Sequence, residues 1–230
     1  MITKTRVFTS GLLEKVSSNS IEYLLSVLPH NKRNKYTSFR YSEDKNRMLT
    51  AYALLYHALK EEFDIILDEN TLRSTGKGKP YIVNSSLSFS LAHSDARVVC
   101  ALGSGTLGCD IEKIRIIDFS SLAKYLTDYE QAVLNNAPAR EKADIFYRIW
   151  TLKESYGKAL GFGLPQALKE FEIPICIKGR GAFTGKDRFL WNYLLQNTED
   201  YMIGVVSQQK IDPDFQYVDS GVISRDICYH

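Results

Sequence analysis

Residues Leu87 to Lys113 read LSFSLAHSDARVVCALGSGTLGCDIEK. Three short apolar runs, Leu87 to Leu91, Val98 to Leu102 and Leu107 to Ile111, are separated by His93-Ser94-Asp95 and by Gly103-Ser104-Gly105. Short apolar runs bounded by turn residues read as strands. Alternate side chains of a strand share a face, so in the third run Asp110 and Glu112 point one way while Cys109 and Ile111 point into a core.

Working outward, Glu43 to Glu62 carries Met48, Leu49, Tyr52, Leu55, Tyr56 and Leu59 at helical spacing, and Ile145 to Leu160 carries Phe146, Ile149, Trp150, Tyr156 and Leu160. Both predict amphipathic helices. After Gly161 and Gly163, strand-like runs return at Phe189 to Leu195 and Met202 to Val206. The tail beyond Asp212 has little pattern and is expected to be partly mobile. Arg47 to Leu59 lines up with Arg148 to Leu160, 101 residues later, with Arg47/Arg148, Thr50/Thr151, Ala58/Ala159 and Leu59/Leu160 identical. Leu87 to Gly103 lines up with Trp191 to Ser207, 104 residues later. Similar offsets for two unlike elements predict an α+β chain built as a pseudo-dimer of two similar α/β lobes, residues 1–105 and 106–230. A ligand cleft is expected where the lobes meet.

The composition is that of an ordinary globular chain: 44% hydrophobic, 24% charged, 29 Lys and Arg against 27 Asp and Glu, net charge +2. So even a balance argues against a general nucleic-acid binder. Met1 to Leu13 lacks the pattern of a signal peptide, and no apolar run approaches the roughly 20 residues that span a bilayer. Cys100, Cys109, Cys176 and Cys228 form no CxxC pair, and they read as reduced thiols of a cytoplasmic protein.

Four groups of residues could carry chemistry. Two carboxylates side by side, Asp110 and Glu112, repel, and a cation relieves that repulsion. Magnesium suits a few carboxylates with water and phosphate oxygens filling the remaining positions. Alone, such a pair fits a solvated strand edge as well as a metal site. Glu154 and Lys158 share a helix face, either as a surface ion pair or as a carboxylate near a metal with a lysine for phosphate. His93 beside Ser94 is either a structural histidine or a phosphate donor. Lys32, Arg33 and Lys35 form one basic cluster and Gly76-Lys77-Gly78-Lys79-Pro80 another. Basic groups in the first half and carboxylates in the second suggest a polyanion bridged between them.

In order, Gly78-Lys79-Pro80, His93-Ser94, Gly108-Cys109-Asp110-Ile111-Glu112-Lys113 and Trp150-Thr151-Leu152-Lys153-Glu154-Ser155-Tyr156-Gly157-Lys158 resemble the Sfp-type phosphopantetheinyl transferases. The basic cluster and Phe39…Glu43-Asp44…Arg47 resemble that family's N-terminal part, and the likeness spans roughly residues 28–165. The resemblance implies a two-lobed fold with the active site at the lobe interface. It implies magnesium ligands at Asp110, Glu112 and Glu130, the last with Asp128 close by, a base at Glu154 and a diphosphate contact at Lys158. It also implies coenzyme A contacts at Lys32, Lys35, Arg47, Lys79, Pro80, His93 and Ser94. Ser90-Leu91-Ala92 and Asp95 depart from the family's usual residues around His93-Ser94, so the details of the 3′-phosphate pocket are expected to differ.

The implied activity is magnesium-dependent transfer of the 4′-phosphopantetheine arm of coenzyme A to a serine of an apo acyl or peptidyl carrier protein, releasing adenosine 3′,5′-bisphosphate. The implied state is a monomer with no nucleic-acid or membrane partner. The apolar stretch Ile116 to Leu126 is the expected carrier surface. Two other classes could present the same residues. A metal-dependent nuclease is disfavoured by the even charge. A non-catalytic coenzyme A or carrier-binding module has little reason to gather carboxylates beside a diphosphate.

Overall fold

The computed structural model describes residues 4–76, 78–116, 122–161, 171–172, 179–198 and 200–228. Along the first lobe run β1 (Lys4–Gly11), α1 (Ser18–Val27), α2 (His30–Ser38), α3 (Ser42–Phe63), β2 (Leu72–Ser74), β3 (Pro80–Ile82), β4 (Leu87–Ser94) and β5 (Arg97–Ser104). The second lobe follows with β6 (Leu107–Lys113), α4 (Asp128–Asn136), α5 (Ala139–Leu160), β7 (Arg180–Thr184), β8 (Leu190–Thr198) and β9 (Tyr201–Ser207). The chain closes with β10 (Lys210–Ile211), β11 (Gln216–Tyr217) and α6 (Ser220–Asp226). Cys176 and residues 117–121 of the stretch Ile116 to Leu126 lie outside the described residues. Among the described residues no helix is long and apolar enough to cross a membrane.

The duplication is visible in the strand pairing. One sheet runs β10-β1-β5-β4 and the other β6-β9-β8-β7, so each lobe has a hairpin whose second strand also pairs with the lobe's first strand. Leu91 pairs with Cys100 in the first hairpin and Leu195 with Gly204 in the second, the same pair moved by 104 residues. The helices repeat less cleanly. α3 and α5 both have 22 residues, and their C-caps, Asp64 and Gly161, are both left-handed. Matched at those ends the helices are 97 residues apart, about one turn from the register of 101 read in the sequence. A shift of one turn preserves an amphipathic pattern, so the helix identities do not by themselves fix equivalent positions.

Side chains alternate between separate cores. On β5, Val98, Cys100 and Leu102 join α1, α3 and β4 in one core, while Val99 and Ala101 turn to a second, between the sheets. On β9, Met202 and Val206 meet α5, while Tyr201, Ile203 and Val205 enter the middle core beside Cys109 and Ile111. Strands covered on both faces read as unbroken apolar runs, which is why Val98 to Leu102 shows no polar alternation.

The sheets also meet along a polar seam. Cys109 N donates to Ser90 Oγ at 3.0 Å and Lys113 N to Ser94 Oγ at 3.1 Å, fastening β6 to β4 through hydroxyls. Thr5 and Ser207 share a hydrogen bond of 2.7 Å.

Two expectations need correction. The second helix starts at Ala139, not Ile145, because its first turns are polar and follow Pro138 at the N-cap. The described tail, through Cys228, is built into the fold. β10 and β11 pair parallel with β1, and Val218, Ile223 and Ile227 are buried in the first lobe's core. Asp226 completes the attachment, accepting from His57 Nδ1 at 2.5 Å and Lys60 Nζ at 3.0 Å on α3. Two isoleucines four residues apart anchor α6, too few to leave a helical pattern in the sequence.

Candidate active site

Glycine sets the position of α5. A Cβ on Gly108 of β6 would run into the Ser155 carbonyl oxygen and come within 2.7 Å of Ala159 N. On Gly204 of β9 it would meet the Thr151 carbonyl at 3.0 Å. Without those side chains the helix lies directly on β6 and β9, and the face carrying Glu154 and Lys158 reaches the face of β6 carrying Asp110 and Glu112.

Three carboxylates and one ammonium result. Lys158 Nζ donates to Asp110 Oδ1 at 2.7 Å. Asp110 is 5% exposed and Glu154 6%. Asp110 Oδ2 and Glu154 Oε1 are buried with no hydrogen-bond donor among the described residues. Ser94 Oγ donates to Glu112 Oε2 at 3.1 Å, and the Trp150 indole also supports that carboxylate. Trp150 in turn stacks on Phe146, so the residue that borders the acids is itself held by the core.

The electrostatics follow from burial. Burial, and then the charges of Asp110 and Glu112, push the Glu154 carboxyl up to about 8 against the pull of Lys158. Burial and Asp110 push Glu112 up to about 7. Burial raises Asp110 as well, opposed by Lys158. Burial alone would lower the Lys158 ammonium, but Asp110, Cys109 and Glu154 together outweigh it and hold it above the ordinary lysine value. One ammonium does not neutralise three carboxylates, so the cluster is short of positive charge.

Two cavities adjoin this cluster and share His93. The first, about 310 Å³, lies between the lobes. Lys32, Lys35, Lys79 and Lys158 give it positive charge, His93 adds an imidazole, and Met48, Tyr52, Pro80, Phe89 and Leu91 give it apolar walls. The second, about 400 Å³, is lined by Arg47, His93, Ser94, Asp95, Glu112, Lys113, Arg115 and Tyr147. Burial, then the charges of Lys158, Arg47 and Lys35, lower His93 below its ordinary value. A neutral imidazole ringed by cations is a site made for an anion, which would return the charge that the cations lack.

The structure therefore brings together Asp110, Glu112, Glu154, Lys158, His93 and Ser94, with Lys32, Lys35, Arg47, Lys79 and Pro80 on the cavity walls. It does not bring Glu130. That carboxylate is fully buried and accepts from Lys153 Nζ at 2.7 Å and from Thr127 N at 2.9 Å, closing the capping box of α4. Lys153 also donates to the Phe171 carbonyl at 2.6 Å. The carboxylate that the resemblance implied as a third metal ligand is thus engaged by a buried ammonium and by its own helix cap. Asp128 is exposed on the same turn. The motif Thr127-Asp128-Tyr129-Glu130 carried the signal, since Thr-x-x-Glu is a capping box in sequence.

Other contacts here had no signature in the sequence. Asp95 is left-handed (φ 52°) in the β4–β5 turn. Its carboxylate accepts from Lys113 at 2.6 Å and Arg115 at 2.8 Å across the lobe boundary, and its carbonyl accepts from Arg47 at 3.3 Å. Tyr147 receives the Arg115 amide at 3.2 Å. Among the described residues, a group of metal-type donor atoms within 4.8 Å of one another occurs at His57, Glu61 and Asp226. There the Lys60 ammonium already neutralises Asp226, and the group ties α6 to α3.

The sequence profile of the 4′-phosphopantetheinyl transferase superfamily matches residues 106–206, and that of the 4′-phosphopantetheinyl transferase N-terminal region matches 15–104. The chain is 30% identical over 161 residues to 4′-phosphopantetheinyl transferase Sfp of Bacillus subtilis, covering 69% of this chain and 71% of that protein. The chain belongs to the Sfp-type 4′-phosphopantetheinyl transferase family. Two further transferases of the family are similar. Psf-1 of Bacillus pumilus is 29% identical over 168 residues, covering 73% of this chain and 72% of its own. HetI of Nostoc is 29% identical over 164 residues, covering 68% and 69%. The boundary between the two matched profiles falls at the turn between β5 and β6, where the second copy of the strand–helix–hairpin unit begins.

Proposed function

We propose that this transferase seats coenzyme A between its lobes and passes the 4′-phosphopantetheine arm to a serine of an apo acyl or peptidyl carrier protein. Adenosine 3′,5′-bisphosphate is the other product. The observation that carries the reading is the juxtaposition of a cationic, apolar-walled cavity with three under-neutralised carboxylates across one lobe boundary.

The nucleotide end occupies the first cavity. Lys32 and Lys35 from α2 and His93 from β4 receive its phosphates, and the walls around Tyr52, Pro80 and Leu91 receive the base. The diphosphate then reaches Lys158 and the acids. Asp110 and Glu112 suit a magnesium ion: two oxygen donors on one strand face, Asp110 Oδ2 without a donor, and a cluster that lacks positive charge. A bound magnesium ion would withdraw charge from the phosphorus under attack. Two carboxylates with phosphate oxygens and water complete such a site, so no third protein ligand is required in place of Glu130.

Glu154 is the base. Its unpartnered Oε1 and raised affinity for a proton suit it to take the hydrogen of the carrier serine as the serine oxygen attacks phosphorus. Lys158 stabilises charge on the diphosphate as the bond to the leaving bisphosphate breaks. A single chain contains both lobes and the whole cleft, which supports a monomer. The substrates are cytoplasmic compounds, which supports that compartment.

Mass spectrometry of an apo carrier protein incubated with this chain, coenzyme A and magnesium tests the reading. A gain of about 340 Da on one serine is expected. An unchanged mass across a panel of acyl and peptidyl carriers would refute it.

A further inference from the structure

Lys79 stands in the loop between β2 and β3, on the first-lobe wall of the nucleotide cavity. Its backbone is pinned there: Lys79 N donates to Thr75 Oγ1 at 3.1 Å, Thr75 N to the Lys79 carbonyl at 2.8 Å and Gly78 N to the Thr75 carbonyl at 2.8 Å. Its ammonium does not point to a carboxylate. Nζ donates to the Lys158 carbonyl at 2.9 Å and the Ala159 carbonyl at 3.0 Å, in the last turn of α5 on the opposite lobe.

Those carbonyls belong to the set that a helix leaves without intrahelical partners at its C-terminus, where the helix dipole is negative. Gly161 (φ 72°) caps the same turn, its amide reaching the Gly157 and Lys158 carbonyls. The Lys158 carbonyl thus accepts from Gly161 N and from Lys79 Nζ, while the Lys158 side chain reaches Asp110 from the same turn. The cavity loop of one lobe is fastened to the residue that faces the acids of the other.

We propose that Lys79 is a positioning residue for the transfer reaction: its ammonium caps α5 and fixes the Lys158–Asp110 pair, and it does not serve as a phosphate contact. Two of its three donors are already engaged by the helix. The loop that lines the nucleotide cavity and the turn that carries Lys158 therefore move together, so a seated nucleotide holds the reacting groups in register.

This rests on the transfer reading above, and the test separates the two. Lys79→Met keeps the length of the side chain and removes the donors; Lys79→Arg keeps donors that span two carbonyls. For Lys79→Met, kcat should fall about tenfold while KM and the calorimetric Kd for coenzyme A move less than about threefold. Lys79→Arg should recover at least about half of the lost kcat, a rescue that general loosening would not give. Amide hydrogen exchange over Ala159 to Gly161 should quicken in Lys79→Met and return in Lys79→Arg. That readout needs no turnover, so it stands even if the carrier experiment fails.

A tenfold rise in KM and Kd with kcat unchanged would make Lys79 a ligand contact and overturn the proposal. So would unaltered exchange at the end of α5, or loss of binding and turnover together in a folded variant. If Lys79→Met does not fold, Lys79→Gln, uncharged and one bond too short to bridge both carbonyls, must show a kcat loss at constant KM; otherwise the proposal falls.

Discussion

Lys158 Nζ sits 2.7 Å from Asp110 Oδ1, joining the last turn of the second lobe's long helix to the strand that borders the first lobe. The pair is the one charge compensation among Asp110, Glu112, Glu154 and Lys158, and it leaves the group with more negative than positive charge. Removing Lys158 should therefore expose the deficit. In chelator, Lys158→Ala should melt at a lower temperature than the wild type at pH 8, and added magnesium should raise its melting point by more than it raises the wild type's. Equal magnesium shifts in both proteins would show that these carboxylates do not hold the ion.

Glu154 predicts an inverted pH response in the metal-free protein. Its carboxyl is raised from 4.5 to about 8, so between those values the folded state binds more protons than the unfolded one. Stability then falls as pH rises through that window and is greatest below it, the reverse of a carboxylate held by a salt bridge. Denaturant unfolding in chelator from pH 5 to 8.5 should show this decline, and Glu154→Gln should flatten it. A profile that rises with pH and is indifferent to Glu154→Gln would contradict the burial argument.

Gly108 predicts a steric effect. Any Cβ there meets the backbone of Ser155 and Ala159, which cannot move aside as a side chain tip would. Gly108→Ala should cost about 1–3 kcal/mol of stability by overpacking and should cut transfer activity by separating Lys158 and Glu154 from the acids of β6. Chemical denaturation and carrier labelling check the two effects. Unchanged stability and rate would mean that the helix does not lie on that glycine.

The tail makes a prediction about the first lobe. Ile223 is fully buried in that lobe's core, so Ile223→Ala should cost about 2–5 kcal/mol. Asp226→Asn should destabilise less, by weakening the contacts to His57 and Lys60 on a partly exposed helix. Urea titrations measure both, and a neutral Ile223→Ala would show the tail to be dispensable.

Much of this was legible in the sequence, for reasons that particular residues make plain. Leu91 and Leu195 announce equivalent hairpins because strand pairing fixes every residue of a hairpin in register. Asp110 and Glu112 were readable as a pair because a strand's period of two leaves no other arrangement once Cys109 and Ile111 are buried. The cap made by Glu130 was legible too, because Thr127 three residues earlier marks the start of a helix, whereas its buried partner Lys153 was not. The contacts of Asp95, Arg115 and Tyr147 left no pattern, since contacts across a lobe boundary depend on how two sheets meet. The Lys79 contact is more hidden still, because its partners are carbonyls and every residue has one.

The account rests on Asp110 and Glu112 serving the diphosphate from one strand face. The direct measurement is the rate at which Asp110→Ala labels an apo carrier with coenzyme A at saturating magnesium, with circular dichroism confirming the fold. A loss of at least about a hundredfold is expected, of the size seen when a group that stabilises transition-state charge is removed. Wild-type turnover by a folded Asp110→Ala would contradict the assignment.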